Sequence, residues 1–369
     1  MAEPFTSEEI HEVIARVRRR LGGTEAEAPA RPRVPAEIPE AELGEGLYAT
    51  IDQAVSAAER AFLDYQALGP DGRQRIVDSV RRTMLEHAER LARIAVEETG
   101  LGRIDDKLRK ILLVTNRTPG PEDLEPIIET GEDGMMLTEH APMGLVAAIT
   151  PTTNPISTII NNAIAVISGG NGLVFNVHPN AKRVSAENVR LLNRAIIAGG
   201  GPPDLITAIP EPTIESAQEL MHHPGIRVLL VTGGPGVVRE ALKTDKRAVA
   251  AGPGNPPAVV DDTANIDAAA RDIVAGASFD NNIICIDEKT VIAVRSVADE
   301  LIRAMGRHGA RILKEHELKK VERTIFDSMG PPSKPGIVNR SWIGKDAAQI
   351  AQAAGVEVDG DPRVLVAED

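Results

Sequence analysis

The single cysteine of the chain, Cys285, stands in the run FDNNIICIDEK, flanked by Ile283, Ile284 and Ile286. A thiolate is a strong nucleophile toward carbonyl carbon at neutral pH. Residue type alone leaves a second reading open, because a cysteine among isoleucines also suits a small buried hydrophobe. Three other runs carry ligand-binding residue types: Thr150-Pro151-Thr152-Thr153-Asn154-Pro155, His178-Pro179-Asn180 and Thr232-Gly233-Gly234-Pro235-Gly236. Glycines ahead of a helix expose backbone amides and can seat a pyrophosphate, although they also serve as plain turn residues. No G-x-G-x-x-G run supports the usual dinucleotide fingerprint. The eight histidines are scattered, and adjacent His222 and His223 lack a cysteine or carboxylate at ligand spacing, so no metal is expected.

Those runs need elements to position them. Apolar stretches at 145–149 (LVAAI), 172–177 (GLVFNV), 205–209 (LITAI) and 226–231 (IRVLLV) alternate with helical patterns such as 156–167 and 182–197. Such alternation predicts a parallel sheet wrapped by helices. Ligands of such sheets bind beyond the carboxyl ends of the strands, where all three candidate runs lie. Residues 47–100 show a three-to-four periodicity and read as covering helices. The segment AAGPGNPPAVVDDTANIDAAARDIVAGASFDNNIICIDEKTVIAV leads from a Gly/Pro bend through a strand and a helix to Cys285, then into another strand. Cys285 is therefore expected in a connection.

At 369 residues the chain has room for two lobes or one large α/β unit. With 42% hydrophobic but only 2% aromatic residues, its core must be packed from aliphatic side chains. A formal net charge of −13 opposes binding to nucleic acid or anionic lipid. One cysteine allows no intrachain disulfide, which suits a reducing cytosol, and neither a signal peptide nor a membrane span is expected.

Residues 1–23 hold one amphipathic helix written with its own signals. Thr6 and Glu9 form a capping-box pair, Phe5 can staple on Ile10, and Gly22 and Gly23 supply the stop. Ile10, Val13, Ile14, Val17 and Leu21 share one face. A Pro/Ala-rich linker over 24–46 follows, with prolines at 29, 32, 35 and 39. Such a helix packs on its own domain or in a partner's groove, and the tether favours the partner.

In this order, APMGLVAAITPTTNP, GLVFNVHPNAK, VLLVTGGPGVV, AAGPGNPPAVVDDTANI and FDNNIICIDEKTVI resemble the aldehyde dehydrogenase superfamily, and within it the CoA-acylating propionaldehyde and acetaldehyde dehydrogenases of bacterial microcompartments. The resemblance implies an α/β fold with a Rossmann-type nucleotide-binding lobe over 47–250 and a partial α/β catalytic lobe over 251–369. A strand near 135–142 would belong to an oligomerisation flap, making a homo-oligomer.

By the same resemblance Cys285 is the nucleophile, adding to an aldehyde so that hydride passes to NAD and a thioester remains, which coenzyme A then takes. The developing oxyanion needs donors, for which the Cys285 amide and the 150–155 loop are candidates. Water-using relatives read Pro-Trp-Asn there; position favours Thr153 and residue type favours Asn154, whose plainer role would be to cap the helix beginning at Pro155. Where those relatives place a glutamate base before a glycine pair, this chain reads Ala250, Ala251, Gly252, which favours acyl transfer over hydrolysis.

For the cofactor the resemblance implies Asn176, His178 and Pro179 near adenosine and ribose, Thr232, Gly233, Gly234 and Val237 near the pyrophosphate, and Thr150, Pro151 and Gly252 among the other cofactor-binding residues. Asn176 replaces a lysine common in relatives, and His178-Pro179 also suits a contact with CoA or a purely structural turn. The N-terminal helix resembles an encapsulation peptide, implying a shell-protein partner for residues 5–21 and a cytoplasmic location inside a microcompartment. GVEVDGDPRVLVAED resembles an interior point of the family, so the chain is expected to stop short of the family's end. A catalytically impaired fragment, half of a split enzyme or, further off, a hydrolytic aldehyde dehydrogenase remain as alternatives.

Overall fold

The computed structural model describes residues 43–331, 334 and 336–368. The expected targeting helix and nearly all of the linker lie outside the described residues. The linker's last part does not behave as one. Glu45 binds Arg194 through both carboxylate oxygens at 2.7 Å, and its carbonyl accepts from Asn193 Nδ2 at 3.2 Å, so residues 43–46 already belong to the folded body.

Helices α1 (Ile51–Tyr65), α2 (Pro70–Thr99) and α3 (Ile104–Arg117) come first. An antiparallel hairpin of β1 (Ile127–Gly131) and β2 (Gly134–Thr138) follows, every residue of it exposed. The strand expected near 135–142 is thus β2, ending at Thr138, and its partner β1 carries too little alternation to be read from sequence.

A five-stranded sheet follows. It is built from β3 (Leu145–Ile149), β4 (Gly172–Asn176), β5 (Ile206–Ala208), β6 (Ile226–Thr232) and β7 (Arg247–Ala251). The spatial order is β5-β4-β3-β6-β7 and every pairing is parallel. Helices α4 (Pro155–Ser168), α5 (Lys182–Ala198), α6 (Ile214–His222) and α7 (Pro235–Leu242) make the crossovers. Leu145, Ala147 and Ile149 pack with Ile51, Val55, Leu220 and Met221 of α1 and α6. Alternation sends Val146 and Ala148, also buried, to the other face, so both faces are covered and the strand reads as a continuous apolar run. Strand β7 had no such signature: its Arg-Ala-Val-Ala-Ala is alternately exposed at the sheet edge, and alanine is a weak strand former.

Beyond Ala251 the strands are short. β8 (Pro257–Val260) pairs in parallel with β9 (Thr290–Ala293) across α8 (Ile266–Ala277). α9 (Arg295–Arg307) packs on α8, and β10 (Ala310–Ile312) pairs with β13 (Val364–Val366). Between them run α10 (Glu315–Ile325), β11 (Phe326–Ser328), β12 (Ile337–Val338) and α11 (Ala347–Ala353). Val260, Ile273, Val274, Leu301 and Met305 form a separate small core here.

Candidate active site

Strand β4 continues the sheet on one side of β3 and β6 on the other, so the carboxyl ends of β3 and β6 flank the crevice where the chain reverses its direction of travel across the sheet. The loops after these strands are 150–154 and 232–234. A third piece comes from α3, which buries Lys107 and Lys110 along with Leu108 and Ile111. The spacing i, i+3 puts both ammonium groups on one side of the helix.

The two lysines converge on one carboxylate. Lys107 Nζ donates to Asp280 Oδ2 at 2.8 Å and to the Thr153 carbonyl at 2.7 Å. Lys110 Nζ donates to the same Asp280 oxygen and to Asn154 Oδ1 at 2.5 Å. Asp280 is wholly inaccessible to solvent. Its other oxygen accepts from the Arg103 amide at 2.9 Å, and its own amide donates to Asp106 Oδ2 at 3.1 Å, which Arg363 also reaches at 3.1 Å. Burial first, and then the neighbouring Lys110 charge, push the Lys107 ammonium down to about 8 against the pull of Asp280.

The backbone here is unusual. Asp280, Asn281 and Asn282 all have positive φ, at 47°, 56° and 60°. Only glycine, asparagine and aspartate visit this region readily, which explains the run Asp-Asn-Asn. Each side chain is pinned: Asn281 Nδ2 donates to the Gly344 carbonyl at 2.9 Å, and Asn282 Nδ2 to the Ala277 and Glu288 carbonyls at 2.6 and 3.0 Å. Gly102 stands so near that a Cβ there would lie 1.9 Å from Asp280 Oδ1.

This rigid left-handed stretch delivers Cys285 into a turn closed by Asp287 N to Ile284 O at 3.2 Å and by Ile284 N to Asp287 Oδ2 at 3.1 Å. Cys285 is partly exposed, and Ile286 is 76% exposed, so the flanking isoleucines do not build a core around the thiol. Among the described residues no acceptor engages the Cys285 amide. Gly254 passes so close that a Cβ on it would fall 2.3 Å from the Cys285 carbonyl oxygen, which accounts for glycine at that bend. Asp287 is buried, and burial pushes its carboxyl up to about 6 despite the Ile284 amide and the charges of Lys289 and Lys110.

Asn154 occupies the N-cap position of α4, yet its side chain makes no capping bond. It turns instead to Lys110, and its Nδ2 donates to Thr153 Oγ1 at 3.1 Å, so the Thr153 hydroxyl supports Asn154. In the same loop Thr150 Oγ1 and Thr152 Oγ1 are buried without partners. Across the crevice, Thr232 ends β6 and Gly233 donates its amide to the Ala251 carbonyl at 3.1 Å. Gly234 is the N-cap of α7 and makes no side-chain bond there, leaving that helix start open to an anion, with Val237 half-buried behind it. These groups fit a dinucleotide phosphate: open amides at one strand end and uncommitted hydroxyls at the next.

The remaining expected residues sit otherwise. Asn176 is buried, accepts from Ser216 Oγ at 2.6 Å and donates to the Thr213 carbonyl at 3.4 Å, so its amide ties β4 to the start of α6. His178 accepts from the Asn180 amide at 3.1 Å, and burial lowers its pKa. Pro151 lines the β3 loop half-buried, while Pro179 and Gly252 are exposed. Lys107, Lys110 and Asp280 escaped the sequence reading. Their signal was two lysines on the same side of α3 as Leu108 and Ile111.

The model of the aldehyde dehydrogenase family matches residues 24–322. The chain belongs to the aldehyde dehydrogenase family. It is 47% identical over 325 residues to an acetylating acetaldehyde dehydrogenase of Salmonella typhimurium, covering 88% of this chain and 69% of that one. A propionaldehyde dehydrogenase from the fucose-utilisation microcompartment of Clostridium phytofermentans superposes with a TM-score of 0.83 at 39% identity, covering 88% of this chain and 74% of that one. The propionaldehyde dehydrogenase of Rhodopseudomonas palustris, solved with CoA and an acylated cysteine, superposes with a TM-score of 0.83 at 39% identity, covering 88% of this chain and 73% of that one. In this aldehyde dehydrogenase the loop after β3, the start of α7 and the Cys285 turn all lie within the matched span.

Asp280→Asn keeps a side chain that tolerates positive φ but removes the one anion that, among the described residues, both lysines touch. It is expected to destabilise the enzyme by about 3–5 kcal/mol, the usual result of orphaning a buried ion pair. Urea denaturation measures this, and a loss under 1 kcal/mol, roughly that of an exposed pair, would refute it.

Asp287 gives a pH signature. Its folded pKa, about 6, exceeds the ordinary 3.8, so its contribution is full below about 3.8 and is lost as pH rises through about 6. Asp287→Asn should therefore gain on the wild type between pH 4 and 6.5, with a constant difference above 7. Parallel stability profiles for the two proteins would contradict the assignment.

Proposed function

We propose that this aldehyde dehydrogenase is CoA-acylating, converting a short aliphatic aldehyde such as propanal or acetaldehyde, with NAD and CoA, into acyl-CoA and NADH. The observation that carries this reading is the end of β7. Ala251, in register with Thr232 beside the open start of α7, carries no carboxylate, and by the resemblance to water-using relatives this is where their glutamate base would stand. The names of the relatives described above support it.

Cys285 is the nucleophile: its sulfur bonds to the aldehyde carbon, and the negative charge that gathers on oxygen is met by the Cys285 amide and Asn154 Nδ2. Thr150, Thr152 and the amides at the start of α7 would hold the NAD, with Thr232, Gly233 and Val237 shaping that seat and Pro151, His178 and Pro179 toward adenosine. When bound, NAD accepts the hydride. Cys285 then carries the acyl group as a thioester, which the CoA thiol attacks to release acyl-CoA and restore the thiol. Water competes poorly without a base to activate it, whereas a thiol is both more acidic and more nucleophilic.

The hairpin β1–β2 exposes Ile127, Ile128, Met135, Met136 and Leu137, a surface suited to a second copy and hence to a homo-oligomer. Residues 5–21 are proposed to bind a shell protein and hold the enzyme in a microcompartment, as the provenance of one relative supports. No helix among the described residues is long and apolar enough to cross a membrane.

NADH formation from propanal and NAD should require CoA and vanish in Cys285→Ser, whose hydroxyl is a far weaker nucleophile than a thiolate at neutral pH. CoA-independent turnover with propanoate as product would establish hydrolysis instead, and no turnover under any condition would mark an impaired fragment or half of a split enzyme.

Fused to a fluorescent protein, residues 1–23 should enter co-expressed shells, and Val13→Glu with Val17→Glu should release them. Diffuse fluorescence of the unmutated fusion in cells with assembled shells would rule out targeting.

A further inference from the structure

We propose that Lys110 is a positioning residue that fixes which end of the Asn154 amide faces the reacting oxygen. The proposal rests on the function proposed above and extends it to a group that does not touch the substrate. An ammonium only donates, so the Asn154 atom 2.5 Å from Lys110 Nζ must be the oxygen. A reversed amide would set NH2 against NH3+ in a buried site, two donors facing each other with no acceptor between them. The far end is therefore always the NH2. One of its N–H groups goes to Thr153 Oγ1 at 3.1 Å and the second has no acceptor among the described residues, which leaves a donor for the oxyanion.

Lys110 is itself held. Its Nζ is locked on Asp280, in the segment that leads to Cys285, so one side chain ties the oxyanion donor to the strand of backbone that presents the thiol. Lys107 does the same for the main chain by donating to the Thr153 carbonyl at 2.7 Å. Asp280 keeps this second cation when Lys110 is removed, so the fold tolerates the test.

Removing one oxyanion donor lowers kcat by roughly 100- to 1000-fold, and letting that donor misorient should cost less, about 10- to 100-fold. Lys110→Met is therefore expected to lower kcat by about 10- to 100-fold with KM for propanal changed less than about twofold, because the loss falls on the transition state. The deciding measurement is a double-mutant cycle with Asn154→Ala. If Lys110 acts through Asn154, adding Lys110→Met to Asn154→Ala changes kcat less than about twofold. Additive losses, or an unchanged kcat in Lys110→Met, would overturn the proposal while wild-type turnover that depends on Cys285 upholds the function. Absence of such turnover in the wild type would overturn both. Should Lys110→Met fail to fold, Lys110→Gln, whose amide can turn its oxygen as well as its NH2 toward Asn154 and so no longer fixes that amide, enters the same cycle under the same criteria.

Discussion

A single carboxylate with no access to solvent, Asp280, receives two ammonium groups, and the geometry of the candidate site depends on it. An ion pair in such surroundings gains little net stability, because desolvating the charges costs about as much as their attraction returns. What it supplies is direction. A charged hydrogen bond in a low-dielectric interior is steep in distance and angle, so Lys107 and Lys110 can sit only where Asp280 and the 153–154 loop both reach them. Burial, reinforced by the excess of positive charge that two cations facing one anion leave, lowers the pKa of Lys107.

The site divides its parts between regular and irregular backbone. The parallel sheet ends β3 and β6 side by side and so delivers two loops to one crevice, a placement that follows from topology and needs no special residue. The thiol cannot be delivered that way. Cys285 lies in the turn after α8, and three successive left-handed residues are needed to aim it. That conformation costs about 1 kcal/mol or more per residue. The hydrogen bonds of Asp280, Asn281 and Asn282 to α3, Asp106, Gly344, Ala277 and Glu288 offset the strain and make the turn rigid.

The same division bears on selectivity between acceptors. At the end of β7 the chain offers Ala250, Ala251 and Gly252, while the carboxyl near the thiol, Asp287, is engaged by the Ile284 amide and buried. A strand end that reads Ala250, Ala251 and Gly252, with no carboxylate among them, favours a nucleophile that ionises readily over one that needs a strong base.

Much of this was legible in the residues themselves. Continuous aliphatic runs bounded by turn signals announce buried parallel strands, because a strand covered on both faces has no polar side to show, and β3, β4, β5 and β6 all form where those runs lie. The loops after them, and Cys285 in a connection, followed from the same pattern. Strand β7 and hairpin strand β1 were not legible, since an edge or exposed strand has no core face to imprint a period. Nor was the role of Asn154 decided by sequence: its position before Pro155 suits a cap equally well, and only the approach of Lys110 from α3, 44 residues earlier, draws the side chain away from the helix. Lys107, Lys110 and Asp280 read singly as solvated charges. They form a site only because α3 and the Cys285 segment, some 170 residues apart, pack together, and the pairing of distant charges leaves no local pattern.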